Sequence, residues 1–203
     1  SLLSLVGRTG GFLVMAWLVA LPYTWWFASG LTEFTFWRGN KTPLWAYLDI
    51  HGLLLFLVVS LLVWETARWL RAVRVSALRG RLRLLLAFVG GFVLVLLMTL
   101  GLRIAGYPVA LVVVPLVAWI GVLFFRPGQS RAMQFVLVLA GLALSITLGT
   151  EFLTLRFDNG RQNTIFKFYI QVWLLLSVVG GAAFSWLVRG SVRWSQRLRV
   201  VWY

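Results

Sequence analysis

Cysteine is absent from this chain of 203 residues, and histidine occurs only once, as His51. These absences exclude disulfide bonds, thiolate metal sites, cysteine nucleophiles and histidine-rich metal centres. Acidic residues are also scarce, because five Asp and Glu stand against 19 Lys and Arg. In a soluble protein the net charge of +14 would suggest a nucleic-acid partner. Here the basic residues lie between long apolar runs, so we expect membrane lipids as partners and no nucleic acid.

Long apolar runs dominate the chain, since 61% of its residues are hydrophobic and only 12% are charged. Runs of about 20 apolar residues are typical of helices that cross a bilayer. They predict an all-α polytopic membrane bundle of about six spans over residues 1–188, followed by a basic interfacial tail over residues 189–203. The expected spans are Gly10–Gly30, Leu44–Trp64, Leu84–Leu102, Tyr107–Phe125, Met133–Phe152 and Thr164–Val188.

The orientation of the bundle follows from its basic residues. When the connections are assigned to alternate sides, 13 Lys and Arg fall on one side and six on the other. The richer side is cytoplasmic by the positive-inside rule, so we expect a multi-pass protein of the plasma (inner) membrane with both ends inside. Four of the five acids then lie at or near the outer face and predict a polar site there: Glu33, Asp49, Glu151 and Asp158.

Most of the polar chemistry lies in the segment 151–173. Asn163, Lys167 and Gln171 are spaced by four residues, so they share one face at the start of the last helix. A face of basic and amide groups, with Arg161 just before it, suits a phosphate or pyrophosphate headgroup. Asp158 or Glu151 would act as a base or would orient Arg161. The alternatives are that Lys167 is a snorkelling anchor and that these charges only pair with one another.

A second group of polar residues begins at Lys41 and leads into the second span. Asp49 lies one to two turns below the outer boundary, where a carboxylate is a functional candidate by default. Its alternative role is a structural pair with an outer Arg or Lys. His51 lacks a second ligand, so it supports a cofactor only weakly, and the cofactors stay open. At the inner side, Glu65 is expected to pair with Arg68 three residues on.

Two segments resemble a known family. The segment 158–169, DNGRQNTIFKFY, resembles the pattern R-M-N-T-V-F-K-F-Y of a prokaryotic membrane family of unknown function whose members carry a YYY domain. The segment 41–44, KTPL, followed by His51 and Gly52, is similar to that family's R-T-P-L…G, and the match is to a C-terminal portion of its chains. The family is grouped with the C-type glycosyltransferases, which take sugars from polyprenyl-phosphate donors at the outer membrane face.

The resemblance implies an outer-face site for a polyprenyl-phosphate-linked sugar donor. Asp158, Glu151 and Asp49 are then the candidate catalytic residues. The candidates for binding the lipid phosphate are Arg161, Asn163, Lys167, Gln171 and Lys41, and no metal site is predicted. Two other functions stay open: a non-catalytic accessory subunit of a larger membrane complex, which would contain pigments or redox cofactors, and a transporter. A transporter is less favoured because the charges crowd the ends of the spans instead of forming a central row.

Overall fold

The computed structural model describes residues 2–26, 33–72 and 82–191, together with the single residues 194, 196, 200 and 202. Within these ranges the chain forms six helices and two short strands. In chain order they are α1 (Leu2–Trp26), β1 (Phe34–Phe36), α2 (Leu44–Ala72), α3 (Leu82–Ile104), α4 (Ala110–Phe125), α5 (Arg131–Phe152), β2 (Leu153–Leu155) and α6 (Gln162–Ser191). The predicted all-α polytopic membrane bundle is confirmed.

Four of these helices, α2, α3, α5 and α6, are long and apolar enough to cross a membrane. Helix α4 has 16 residues and is about 24 Å long, so it is shorter than the hydrocarbon core of about 30 Å. Helix α1 begins at Leu2, well before the predicted start at Gly10, and has Pro22 inside it. Three predicted features lie partly outside the described residues: the end of the first span, the connection between the second and third spans, and the basic tail.

The core is built around α5, which packs against α4 and α6, while α2 packs against both α6 and α4. The buried side chains of the core are mainly Leu, Val and Ala, which have no polar group that needs a hydrogen-bond partner within a membrane. In the described part of the chain, the main packing partner of helix α3 is α4. Most of the apolar surface of α3 stays exposed. The described side chains of α1 are exposed almost throughout. Lipid tails can cover such apolar surfaces in a bilayer.

A two-stranded antiparallel sheet joins the connection before α2 to the connection before α6. Phe34 pairs with Leu155, and Phe36 pairs with Leu153. The pairing continues beyond the strands, because the Trp37 amide donates to the carbonyl of Phe152 at 2.8 Å. Both segments fall between predicted spans and no strand was predicted in either, so the sheet is a new finding. We call this end of the bundle, where α2, α4 and α6 begin, the sheet end.

The opposite end, which we call the basic end, carries the Arg residues at the ends of α2 and α6, after α4 and at the start of α5. Glu65 is fully buried there, and its Oε1 lies 3.4 Å from Arg68 Nη2, which confirms the predicted pair. The same oxygen also forms an ion pair with Arg126, which follows α4 and is itself nearly buried. This second pair ties α2 to the α4–α5 connection.

Candidate functional site

Glu151, in the last turn of α5, is the centre of a buried polar cluster at the sheet end. Its side chain is fully buried. The carboxylate accepts hydrogen bonds from the Thr42 amide at 3.0 Å, from Thr42 Oγ1 at 2.6 Å, and from Arg161 Nη1 at 3.0 Å. A buried carboxylate is expensive unless it is paired and hydrogen-bonded, and these three donors meet both needs.

Arg161 is the cation of this cluster and is only 5% exposed. Its guanidinium also donates to the Thr150 carbonyl at 2.8 Å and to Thr42 Oγ1 at 2.9 Å, and it lies over the Trp37 ring, 5.5 Å from the centroid. Its backbone has φ of 58°, in the left-handed region that non-glycine residues rarely adopt. The side-chain bonds offset the cost of that conformation and fix the turn that leads into α6.

Lys41 closes the cluster from the loop before α2. Its Nζ donates to the carbonyls of Trp37 at 2.7 Å and Glu151 at 2.9 Å, and it lies 4.8 Å from the centroid of the Tyr107 ring. Burial lowers the pKa of Lys41, the charge of Glu151 raises it, and Arg161 lowers it again, so the pKa falls below its ordinary value. Because Nζ donates to two backbone carbonyls, the ammonium group is already engaged by the protein.

Asp158 lies outside the cluster, in the turn between β2 and α6. Its carboxylate accepts the Asn163 amide at 3.1 Å, the Thr164 amide at 2.7 Å and Thr164 Oγ1 at 2.6 Å. These amides belong to the first turn of α6 and have no partner inside the helix, so Asp158 acts as a helix cap. Burial raises the pKa of Asp158, but the hydrogen bonds from Thr164 and Asn163 outweigh it and hold the pKa below the ordinary value of 3.8.

We expect Asp158→Ala to lower the free energy of unfolding by about 1 kcal/mol, because it leaves the first amides of α6 without a cap. Asp158→Asn, which keeps an acceptor oxygen, should cost less. A carboxylate with a lowered pKa stabilises the fold above its unfolded-state pKa, and that contribution is lost as the pH falls through the folded-state pKa. Unfolding in mixed micelles at neutral and acidic pH measures both effects. An alanine variant as stable as the wild type would contradict the capping role.

Four predicted site residues are instead exposed. Asn163, Lys167 and Gln171 lie along one exposed side of α6, as their spacing predicts, and Asp49 is exposed on α2. Asp49 and Lys167 each lie five residues after the start of their helix, which is about 7.5 Å along the helix axis. Within the described ranges, neither side chain has an ion-pair or hydrogen-bond partner.

The comparisons with known proteins identify a family. The model of a family described as "Uncharacterized membrane protein (DUF2298)" matches residues 1–176. The chain belongs to this family. This agrees with the resemblance at the level of a membrane family of unknown function. No curated protein and no solved structure matches the chain.

The part of the chain that matches the DUF2298 family contains the whole sheet end, including the buried cluster and the exposed side of α6. Two residues that hold the sheet end together, Thr42 and Thr164, were not predicted from the sequence. Thr42 stands within the KTPL segment, which was the only available signal. Thr164 Oγ1 also accepts the Leu155 amide at 2.9 Å and lies 3.1 Å from Thr154 Oγ1, so it links α6 to the sheet.

His51 lies deeper in the bundle, fully buried between two aromatic rings. The ring centroids of Tyr47 and Tyr169 are each 4.9 Å from that of the imidazole. Tyr47 shares a face of α2 with His51, as their spacing predicts. Neither imidazole nitrogen has a hydrogen-bond partner in the described part of the protein. Among those same residues, no group of three or more His, Cys, Asp or Glu lies close enough to hold a metal ion.

Proposed function

We propose that the sheet end of this membrane protein is the donor site of a glycosyltransferase-like protein, which binds the phosphate of a polyprenyl-phosphate-linked sugar. The observation that carries the proposal is the exposed side of α6, where Lys167 stands between Asn163 and Gln171 without a carboxylate partner in the described chain. An unpaired ammonium flanked by two amides suits a phosphate monoester or diester. A position about one to two turns after the start of a membrane-spanning helix suits contact with a lipid headgroup.

The buried cluster has a different task in this proposal. The donors of Arg161 and Lys41 already bond to Glu151 and to backbone carbonyls, so these two side chains hold the frame of the site. They join the α1–α2 connection to the end of α5 and the start of α6. The turn before α6 is thereby fixed, and Lys167 keeps a defined position relative to the membrane surface. The lipid phosphate then contacts Asn163, Lys167 and Gln171.

Asp49 is the candidate base, because the carboxylates of Glu151 and Asp158 are occupied by hydrogen bonds from the protein. In the proposed reaction the acceptor hydroxyl oxygen attacks the anomeric carbon of the sugar. Asp49 takes the hydroxyl proton, and the polyprenyl phosphate leaves with the electrons of the broken glycosidic bond. Lys167 stabilises the negative charge that develops on the leaving phosphate. The exposed position of Asp49 on α2 leaves room for an acceptor.

Lys167→Ala should weaken the binding of a polyprenyl phosphate about tenfold, which corresponds to about 1.4 kcal/mol for one charge-assisted contact. Purified protein in lipid nanodiscs can be titrated with short-chain polyprenyl phosphate, and the dissociation constant can be measured. Lys167→Arg should keep most of the affinity, because the charge is conserved.

Arg103→Ala is the matched control, since Arg103 is also an exposed cation and lies in the last turn of α3 at the sheet end. It should leave the affinity within about twofold if binding is local to α6. Equal losses in the Arg103 and Lys167 variants would mean that the lipid senses only the total charge. An unchanged affinity in Lys167→Ala would reject the phosphate site.

Asp49→Asn should lower the rate of sugar transfer about a hundredfold without weakening donor binding, because general bases contribute factors of this size. The assay follows the transfer of a radiolabelled sugar from polyprenyl phosphate to acceptors extracted from the native membrane. Glu33→Gln, a change at another exposed carboxylate of the sheet end, serves as the control. A full rate in Asp49→Asn would remove this residue from the reaction.

A non-catalytic role in a larger membrane complex is the second candidate. One observation favours it: the apolar sides of α3 are almost entirely exposed in the described chain. Helices of partner subunits could cover these sides in place of lipid. Purification from native membranes at a fixed ratio with other membrane subunits, together with no sugar transfer by the purified chain, would support this candidate over the transferase.

A further inference from the structure

A cavity of about 690 Å³ opens between α2 and α6 at the basic end, far from the site described above. This volume lies in the range of small-molecule and lipid sites. The residues that line it are mostly aromatic, aliphatic and Arg: Phe56, Val59, Ser60, Val63, Trp64, Ala67, Arg68, Arg71, Trp186, Arg189, Gly190, Trp194 and Trp202. None of these described lining residues is acidic.

The polarity of the lining changes along the cavity. Phe56, Val59 and Val63 form the part that lies deepest in the span, whereas Arg71 and Arg189 stand in the last turns of α2 and α6. Phe56 and Arg71 are 15 positions apart, so the cavity follows about 22 Å of helix. A long cavity with an apolar end inside the membrane and a cationic end at its surface has the polarity of a single phospholipid.

The cations at its mouth carry uncompensated charge. Arg68 pairs with Glu65 at 3.4 Å, although Glu65 is also neutralised by Arg126. Arg71 and Arg189 are exposed and have no acidic partner among the described residues. Basic pockets between transmembrane helices favour lipids whose headgroups are anionic.

Aromatic residues from the end of the chain form one wall. The Trp202 indole nitrogen donates to Ser60 Oγ on α2 at 3.2 Å, and its ring stacks on Phe56 with centroids 6.1 Å apart. Trp194 meets Trp202 edge to face at 5.7 Å. Trp202 therefore extends this wall to the deepest part of the cavity, beside Phe56, where it adds an aromatic surface for an acyl chain.

We propose that this cavity holds one anionic phospholipid, with its phosphate between Arg71 and Arg189 and an acyl chain along Phe56, Val59 and Val63. The lipid would fill the space between α2 and α6 at the basic end. The proposal does not depend on the glycosyltransferase function, because the two sites lie at opposite ends of the bundle.

Native mass spectrometry of the full chain, released from detergent that contains phosphatidylglycerol or phosphatidylcholine, tests this proposal. We expect one retained phosphatidylglycerol per chain and at least tenfold weaker retention of phosphatidylcholine. The double variant Arg71→Ala/Arg189→Ala should lose this preference. Val63→Trp, which fills the apolar part and keeps both cations, should also lose the bound lipid. Circular dichroism on each variant shows whether the helical fold is intact.

Arg103→Ala, which removes one exposed cation at the other end of the bundle, should retain the phospholipid fully. Equal retention of the two lipids by the wild type, or an equal loss in the Arg103 variant, would overturn the proposal. Retention in a folded Val63→Trp variant would also overturn it, because the lipid would then lie outside the cavity. Displacement of phosphatidylglycerol by an equimolar polyprenyl phosphate would refute the assignment of a phospholipid as the occupant.

Discussion

Glu151→Ala should lower the free energy of unfolding by about 3–5 kcal/mol, the usual cost of removing one partner from a buried ion pair. The substitution leaves the Arg161 guanidinium, only 5% exposed, without its counter-ion. It also removes the acceptor of both Thr42 donors. Titration with SDS in mixed micelles, followed by circular dichroism, measures the change.

Glu33→Ala is the matched control for this experiment, because Glu33 pairs with Arg156 at the same end of the bundle and both side chains are more than half exposed. An exposed pair of this kind contributes about 0–1 kcal/mol. The double variant Glu151→Ala/Arg161→Ala should lose less unfolding free energy than the sum of the two single variants, because Arg161→Ala removes the charge that Glu151→Ala leaves uncompensated. A Glu151 variant as stable as the Glu33 variant would show that the cluster does not hold the sheet end together.

Glu65→Ala should destabilise the protein by a similar amount, about 3–5 kcal/mol. Glu65 is fully buried, and its partner Arg126 has a side chain only 8% exposed. Removing the carboxylate therefore leaves a buried cation and breaks the tie between α2 and the α4–α5 connection. The same SDS titration measures the loss.

Arg68→Ala is the control at this end, because the Arg68 side chain is 53% exposed and its pair with Glu65 is longer, at 3.4 Å. We expect a loss of about 1 kcal/mol or less from this exposed contact. Equal losses in the Glu65 and Arg68 variants would contradict the assignment of Arg126 as the main partner. A stable Glu65→Ala variant would contradict the buried pair itself.

The helices were predictable because their signal is local. The apolar runs of α2, α5 and α6 exceed the length that a bilayer requires, and charged or turn residues bound them. The helix ends were less predictable, since α2 continues to Ala72 through Glu65, Arg68 and Arg71. Hydropathy ends a span at the first charges, whereas backbone hydrogen bonding continues through them.

The sheet and the buried cluster could not be predicted, because both depend on contacts between distant segments. Phe34 and Leu155 are 121 positions apart, and no local pattern indicates that they pair. The count of basic residues on alternate sides predicted that Glu151 and Arg161 lie near an outer connection. It could not show that Thr42, 109 positions before Glu151, would donate two hydrogen bonds to that carboxylate. That Asn163, Lys167 and Gln171 share one side of α6 was predictable, because helical periodicity alone sets it, whereas the exposure of that side depends on the packing of the neighbouring helices.

Photo-crosslinking of the purified protein with a polyprenyl phosphate that carries a diazirine next to its phosphate tests the donor site most directly. Peptide mapping by mass spectrometry locates the labelled residues. The proposed function predicts that labelling concentrates in residues 162–171 of α6, that excess unlabelled polyprenyl phosphate prevents it, and that Lys167→Ala reduces it. Labelling spread evenly over α3 and the other exposed helix surfaces, or unaffected by competitor, would contradict a phosphate site at the sheet end.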